Sequence, residues 1–161
     1  MKVLIFGEGG NLAMALAPVL RERGHQVLND SILGKFKTHE SQTGSGVMEF
    51  DALQVGQFAY SGTIKPDVII NMAGLVSTER CHGNELLALR ENYLAAKEVA
   101  EVSRLVGARL IHLSSSASYA NPGVHIKEDN PVPGRLLTSY SVTKLLGDQE
   151  VLKTPALIGP F

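Results

Sequence analysis

A chain of 161 residues, 44% hydrophobic and 19% charged, is long enough for one self-sufficient core and has the composition of a globular domain. Its net charge of −1 gives nucleic acid or an anionic membrane no electrostatic hold, and no apolar run approaches the roughly 20 residues of a membrane-spanning helix. The one cysteine, Cys81, cannot form an internal disulfide, so a reducing, cytoplasmic setting is expected, and Gly7-Glu8-Gly9-Gly10 breaks the apolar start too early for a signal peptide.

Along the chain, apolar runs alternate with helical patterns. Val3 to Phe6 is a continuous apolar run ending in glycine, as expected of a strand buried on both faces. A helix is predicted from Leu12 to Arg23, stopping at Gly24, with Leu12, Leu16, Val19 and Leu20 on one face. Short strands are expected at 26–28 and 47–50, separated by the polar stretch GKFKTHESQTGSG. DVIINMA, residues 67–73, is another buried strand. A long helix then runs from about Asn84, its expected N-cap, to Val106, with Gly107 as its stop. RLIHL, residues 109–113, forms a strand leading into Ser114-Ser115-Ser116. Beyond a loop with Pro122, Pro131 and Pro133, residues 140–152 are helical, and 156–158 form a last apolar run.

This order predicts an α/β fold with a doubly wound parallel sheet and right-handed crossovers, as one domain over residues 1–161. Ligands of such sheets gather at the carboxyl ends of the strands. The first such end is GEGGNLA, with Gly7, Gly10 and Ala13 spaced three apart between strand and helix. There Gly7 permits a tight turn, Gly10 lets backbone approach a pyrophosphate, and Ala13 allows close helix packing. A plain flexible bend explains the same glycines. At the second strand end, Asn29 or Asp30 stands about 20 residues on, as a ribose-binding acid should, whereas Lys35 and Lys37 would suit a 2′-phosphate. NAD and NADP both stay open, with NAD slightly favoured.

Tyr140-Ser-Val-Thr-Lys144 carries the strongest chemical signal. Residues four apart share a helix face, so the phenol and the ammonium converge and the cation stabilises a phenolate. Such a pair exchanges protons with a substrate oxygen. Ser115, at the end of a strand, can hold a carbonyl or alcohol beside it. The five histidines, His25, His39, His82, His112 and His125, show no zinc or iron spacing, so no metal is expected. His112, inside an apolar strand, reads as a core histidine.

Together these stretches resemble the extended short-chain dehydrogenase/reductase family, the NAD-dependent nucleotide-sugar epimerases, dehydratases and 4-keto-sugar reductases, over essentially the whole chain. IFGEGGNLA resembles its opening turn, FDAL its adenine-side acid, KPDVIINMAG its fourth strand, ENYLAAKEVAE its helix asparagine, LIHLSSSASYA its catalytic-serine strand and TSYSVTKLLGDQE its Tyr/Lys helix. The resemblance implies a Rossmann fold. It implies cofactor contacts at Gly7, Gly10, Asn11, Leu12, Asp30, Asp51, Ala52, Ala73, Gly74, Asn92, Tyr140 and Lys144. Counting back four from Tyr119 selects Ser115 as the active hydroxyl. By the same resemblance Tyr140 is the acid/base, Lys144 stabilises its phenolate and binds the nicotinamide ribose, and Ser115 orients the substrate oxygen. A nucleotide sugar is the implied substrate, and a homodimer is the family's usual assembly.

Two departures are mild: Ala13 at the third small position, and Ser118-Tyr119-Ala120 where Val-Tyr-Gly is usual. Family members normally continue well beyond the catalytic helix into a substrate-binding lobe. Here that C-terminal lobe is expected to be largely absent, which leaves a cofactor-binding regulatory or scaffolding subunit as the alternative function. KPDVIIN and GARLIHLS look most like the keto-sugar reductases, the triple serine more like the epimerases and dehydratases.

Overall fold

The apolar runs become a parallel sheet in the computed structural model, which describes residues 1–7, 9–29, 38–40, 46–48, 65–119, 138–154 and 156–159. The strands are β1 (Lys2–Phe6), β2 (Gln26–Asn29), β3 (Thr38–Glu40), β4 (Gly46–Met48), β5 (Val68–Asn71), β6 (Arg109–Leu113) and β7 (Ala156–Gly159). Five of them form one sheet in the order β2-β1-β5-β6-β7, and every neighbouring pair is parallel. The chain leaves β1 for β2 on one side and returns through β5 on the other. That reversal between β1 and β5 is the switch point at which doubly wound sheets open a crevice.

Alternation along each strand divides the core between two faces. Leu4, Phe6, Ile69 and Leu110 pack one way, against Val99, Ala100, Val102 and Val151. Val3, Ile5 and Ile70 pack the other way, against Ala13, Leu16, Ala17 and Leu20. Each fully buried Leu, Ile or Phe contributes about 1.5–3 kcal/mol. The sheet is therefore covered on both sides, as continuous apolar strands require.

The helices are α1 (Asn11–Glu22), α2 (Thr78–Gly83), α3 (Glu85–Ala88), α4 (Ala95–Val106) and α5 (Ser139–Leu152). Three expectations need correction. The buried face of α1 is Ala13, Leu16, Ala17 and Leu20, whereas Leu12 and Val19 stand 60% and 42% exposed. A wide arc of apolar residues hid the phase, and the small residues sit where the helix approaches the sheet. The strand expected at 47–50 is Gly46–Met48, paired antiparallel with β3 in a separate two-stranded sheet. Its few residues make their own hairpin instead of extending the parallel sheet.

The third correction concerns the long helix from Asn84. Asn84 does cap it, its Oδ1 accepting from Leu87 N at 3.0 Å, and Gly107 does close it. Between α3 and α4, however, Leu89–Leu94 winds more widely as a π-helical turn. Such turns form where a tertiary contact competes with the regular ladder. Asn92 is that contact: its Oδ1 accepts from Leu75 N at 2.7 Å, and its Nδ2 donates to Leu75 O at 3.2 Å and Thr143 Oγ1 at 3.1 Å. One side chain thereby joins the segment after β5 to α5.

Candidate active site at the sheet switch point

At the end of β1, Gly7 adopts φ +87°, a conformation that disfavours any side chain. A Cβ there would also lie 2.7 Å from Ala73 N and 2.8 Å from Met72 C. The turn after β1 and the segment after β5 thus touch through backbone, and only glycine allows it. Gly10 N donates to Gly7 O at 3.0 Å, closing the turn. Gly10 is the N-cap of α1, where no side chain caps the helix and no acidic residue occupies the first turn. The start of α1 therefore presents backbone N–H groups and the positive end of the helix dipole to the crevice. Gly9, Gly10, Asn11 and Leu12 are exposed there, while Ala13 is buried against the sheet. Gly7 thus touches Ala73 through backbone and is bonded to Gly10.

Asn92 is placed differently. It is 2% exposed, and its amide is engaged by Leu75, Thr143 and, more loosely, the Cys81 thiol at 3.8 Å. Its side chain braces the wall of the crevice from behind. Asp30, Asp51 and Ala52, with Lys35 and Lys37, lie outside the described residues.

Lys144 links α5 to the end of β6, close in sequence to Ser115, and Tyr140 stands one turn earlier on the same helix. Ser115 stands two residues past the end of β6; it is half-buried, and its Oγ accepts from Ala117 N at 3.2 Å. The turn it opens, Ser116–Tyr119, packs on α5. A capping box starts α5, with Thr138 Oγ1 accepting from Ser141 N at 3.1 Å and Ser141 Oγ accepting from Thr138 N at 3.2 Å. This reciprocal cap sets the helical phase just ahead of Tyr140. The tyrosine is half-buried against Leu75, Cys81 and Ala88.

One turn further along α5, Lys144 is 5% exposed and donates from Nζ to Leu113 O at 2.8 Å. Burial pushes its ammonium below the usual lysine range, and the Asp148 carboxylate opposes that shift. Cys81, by contrast, is fully buried with its thiol on Leu75 O at 3.4 Å, and burial raises its pKa. A buried thiol with a raised pKa is a poor nucleophile.

Sequence reading passed over Ser114 and Asp148, which the fold brings to the junction of β6 and α5, and Thr143 and Gly147, which meet Asn92 on the π-helical turn. Ser114 Oγ donates to Asp148 Oδ2 at 2.5 Å. A signal for Asp148 existed: it repeats the four-residue step from Tyr140 to Lys144. No helix among the described residues is long and apolar enough to cross a membrane.

Residues 3–156 match the NAD dependent epimerase/dehydratase family. The spore coat polysaccharide biosynthesis protein SpsK of Bacillus subtilis is 27% identical over 154 residues, covering 95% of this chain and 49% of that protein. A UDP-glucose 4-epimerase of Mycolicibacterium smegmatis is 28% identical over 156 residues, covering 92% of this chain and 49% of that protein. In three dimensions, a dTDP-4-dehydrorhamnose reductase from Clostridium acetobutylicum superposes with a TM-score of 0.80 at 24% identity, over 99% of this chain and 52% of that one. The chain spans about half the length of the curated relatives it matches.

Proposed function

The chain belongs to the NAD dependent epimerase/dehydratase family, and on that premise we propose that it binds NAD or NADP in the β1–β5 crevice and serves an epimerase, dehydratase or reductase acting on a nucleotide-linked sugar. The residues present fit such a cofactor. Gly7 lets the turn after β1 close onto the backbone of Met72 and Ala73, and the side-chain-free cap of α1 is suited to a pyrophosphate. Gly10, Asn11 and Leu12 would hold the phosphates through backbone, and Ala73 and Gly74 would form the facing wall. When bound, the nicotinamide supplies hydride transfer; position and proton handling fall to the protein.

The observation that carries the reading is the Lys144 Nζ–Leu113 O bond at 2.8 Å, which ties α5, four residues after Tyr140, to the strand end two residues before Ser115. The Ser115 hydroxyl would hold the substrate oxygen. Tyr140 would donate a proton to that oxygen in reduction and remove it in oxidation. Lys144 uses one N–H on Leu113 O, which leaves its other donors for the ribose and its charge for the phenolate. Asn92 keeps the segment bearing Gly74 and Leu75 in place. The relatives include an epimerase, a reductase and a dehydrogenase, which supports a nicotinamide-dependent reaction of this kind.

The test is calorimetry with NAD(H) and NADP(H), followed by Tyr140→Phe. Turnover of a nucleotide-linked keto sugar should fall by about 100-fold or more, with cofactor affinity unchanged. Failure to bind any nicotinamide dinucleotide overturns the reading. Binding without turnover by the intact protein supports a cofactor-binding subunit instead.

A further inference from the structure

Behind Ser115, the junction of β5, β6 and α5 buries a row of polar side chains that the proposed chemistry does not use. Asn71 and His112 are each 1% exposed and Asp148 is 8% exposed. Asn71 Nδ2 and His112 Nδ1 are 3.0 Å apart. On the far side of the ring, His112 Nε2 stands 3.2 Å from Asp148 Oδ1, off the line of a hydrogen bond. The other carboxylate oxygen, Oδ2, takes the Ser114 hydroxyl. A buried carboxylate with one oxygen incompletely satisfied is costly to maintain, so packing alone does not explain an acid at this position.

Its placement does. Tyr140, Lys144 and Asp148 recur every four residues along α5, and Lys144 and Asp148 both reach the end of β6. Opposite them run Leu113, Ser114 and Ser115. Lys144 is bound to the first of these and Asp148 to the second, so the third has its backbone fixed from both anchors. We propose that Asp148 is a positioning residue of the site, which ties α5 to the end of β6 through Ser114 and supplies the buried counter-charge of the Lys144 ammonium.

The charges around it agree. The groups that face Asp148 are His112 and Ser114 from β6 and Lys144 from its own helix, with the uncharged Asn71 beyond His112 on β5. Burial holds His112 below the ordinary histidine range despite the nearby carboxylate, and Lys144 pushes it further the same way. Burial therefore favours the neutral imidazole, which leaves the carboxylate to serve the lysine. The consequence for the site rests on the role proposed above for Lys144.

Two variants of the full chain separate charge from tether. Asp148→Asn keeps the shape and an acceptor for Ser114 but loses the charge; Ser114→Ala keeps the charge and loses the tether. With lysines labelled in ¹³C, NMR of the ligand-free protein should show the Lys144 titration midpoint at lower pH in D148N and unmoved in S114A. In S114A, amide exchange at Leu113–Ser115 should instead quicken by about tenfold, as expected for loss of one hydrogen bond to a charged group. Cofactor affinity in D148N should fall away at lower pH than in the parent. An unmoved Lys144 midpoint in folded D148N overturns the proposal. Should that variant not fold, the parent titration decides: a Lys144 charged across neutral pH supports it, and one already neutral there overturns it. Loss of cofactor binding in the parent would sink the functional reading while leaving the NMR result standing.

Discussion

His112 and Lys144 are two bases set around one buried carboxylate, and their different fates show how burial and charge compete at single residues. His112 lies inside the sheet, and desolvation outweighs the pull of Asp148, so its folded pKa lies below the ordinary 6.5. The folded state then binds fewer protons than the unfolded chain between those two values. His112 thus contributes stability that is fully present above pH 6.5 and lost as pH falls through its folded pKa. His112→Gln should flatten that acid-side loss, read as the free energy of urea unfolding measured across pH. A parallel slope in the variant would mean that other groups drive the decline. Tyr140 and Lys144 stand out as candidates by type and four-residue spacing, and Ser115 by its place after a strand and by the family resemblance. Asp148 carries the same spacing, but a lone acid on a helix reads as solvated surface until β6 is laid over it.

At the scale of elements, most boundaries follow from local signals, and the exceptions follow from tertiary contact. Asn84, Gly107 and the strand Arg109–Leu113 stand where caps and apolar runs put them. The π-helical turn at Leu89–Leu94 has no such signal, because it answers to Leu75 and to α5. Gly147 belongs to the same contact: a Cβ there would lie 2.3 Å from Asn92 O and 3.1 Å from Ala96 Cβ. Alanine would gain about 1 kcal/mol in helix propensity. Yet the clash is with backbone, which cannot swing aside, and such overpacking costs about 1–3 kcal/mol or more. Gly147→Ala should therefore destabilise the fold, seen as a lower denaturation midpoint, and it should weaken the Asn92 brace as α5 is pushed outward. A variant of raised stability would show that α5 and the π turn are not held this closely.

Over the whole molecule, the sheet order decides what the separate motifs can do together. β1, β5 and β6 each have a strand on both sides and carry the deepest core residues, Phe6, Ile69 and Leu110 among them. Amide exchange should be slowest there and faster in β2, which among the described residues has a neighbour on one side, and in the β3–β4 pair, which forms a separate sheet. Equal protection of β2 and β5 would contradict this order. By itself the sequence determined the alternating α/β architecture, because burial on two faces writes continuous apolar strands. It also marked the glycine turn and the Tyr140/Lys144 pair as candidates, because each needs particular residues at short, countable spacings. Only the tertiary structure decided the sheet order, the buried phase of α1, the π turn, the inward placement of Asn92 and the Asp148 network. Those features depend on groups far apart in the chain meeting in space, and no local pattern encodes which partner a buried polar atom will find.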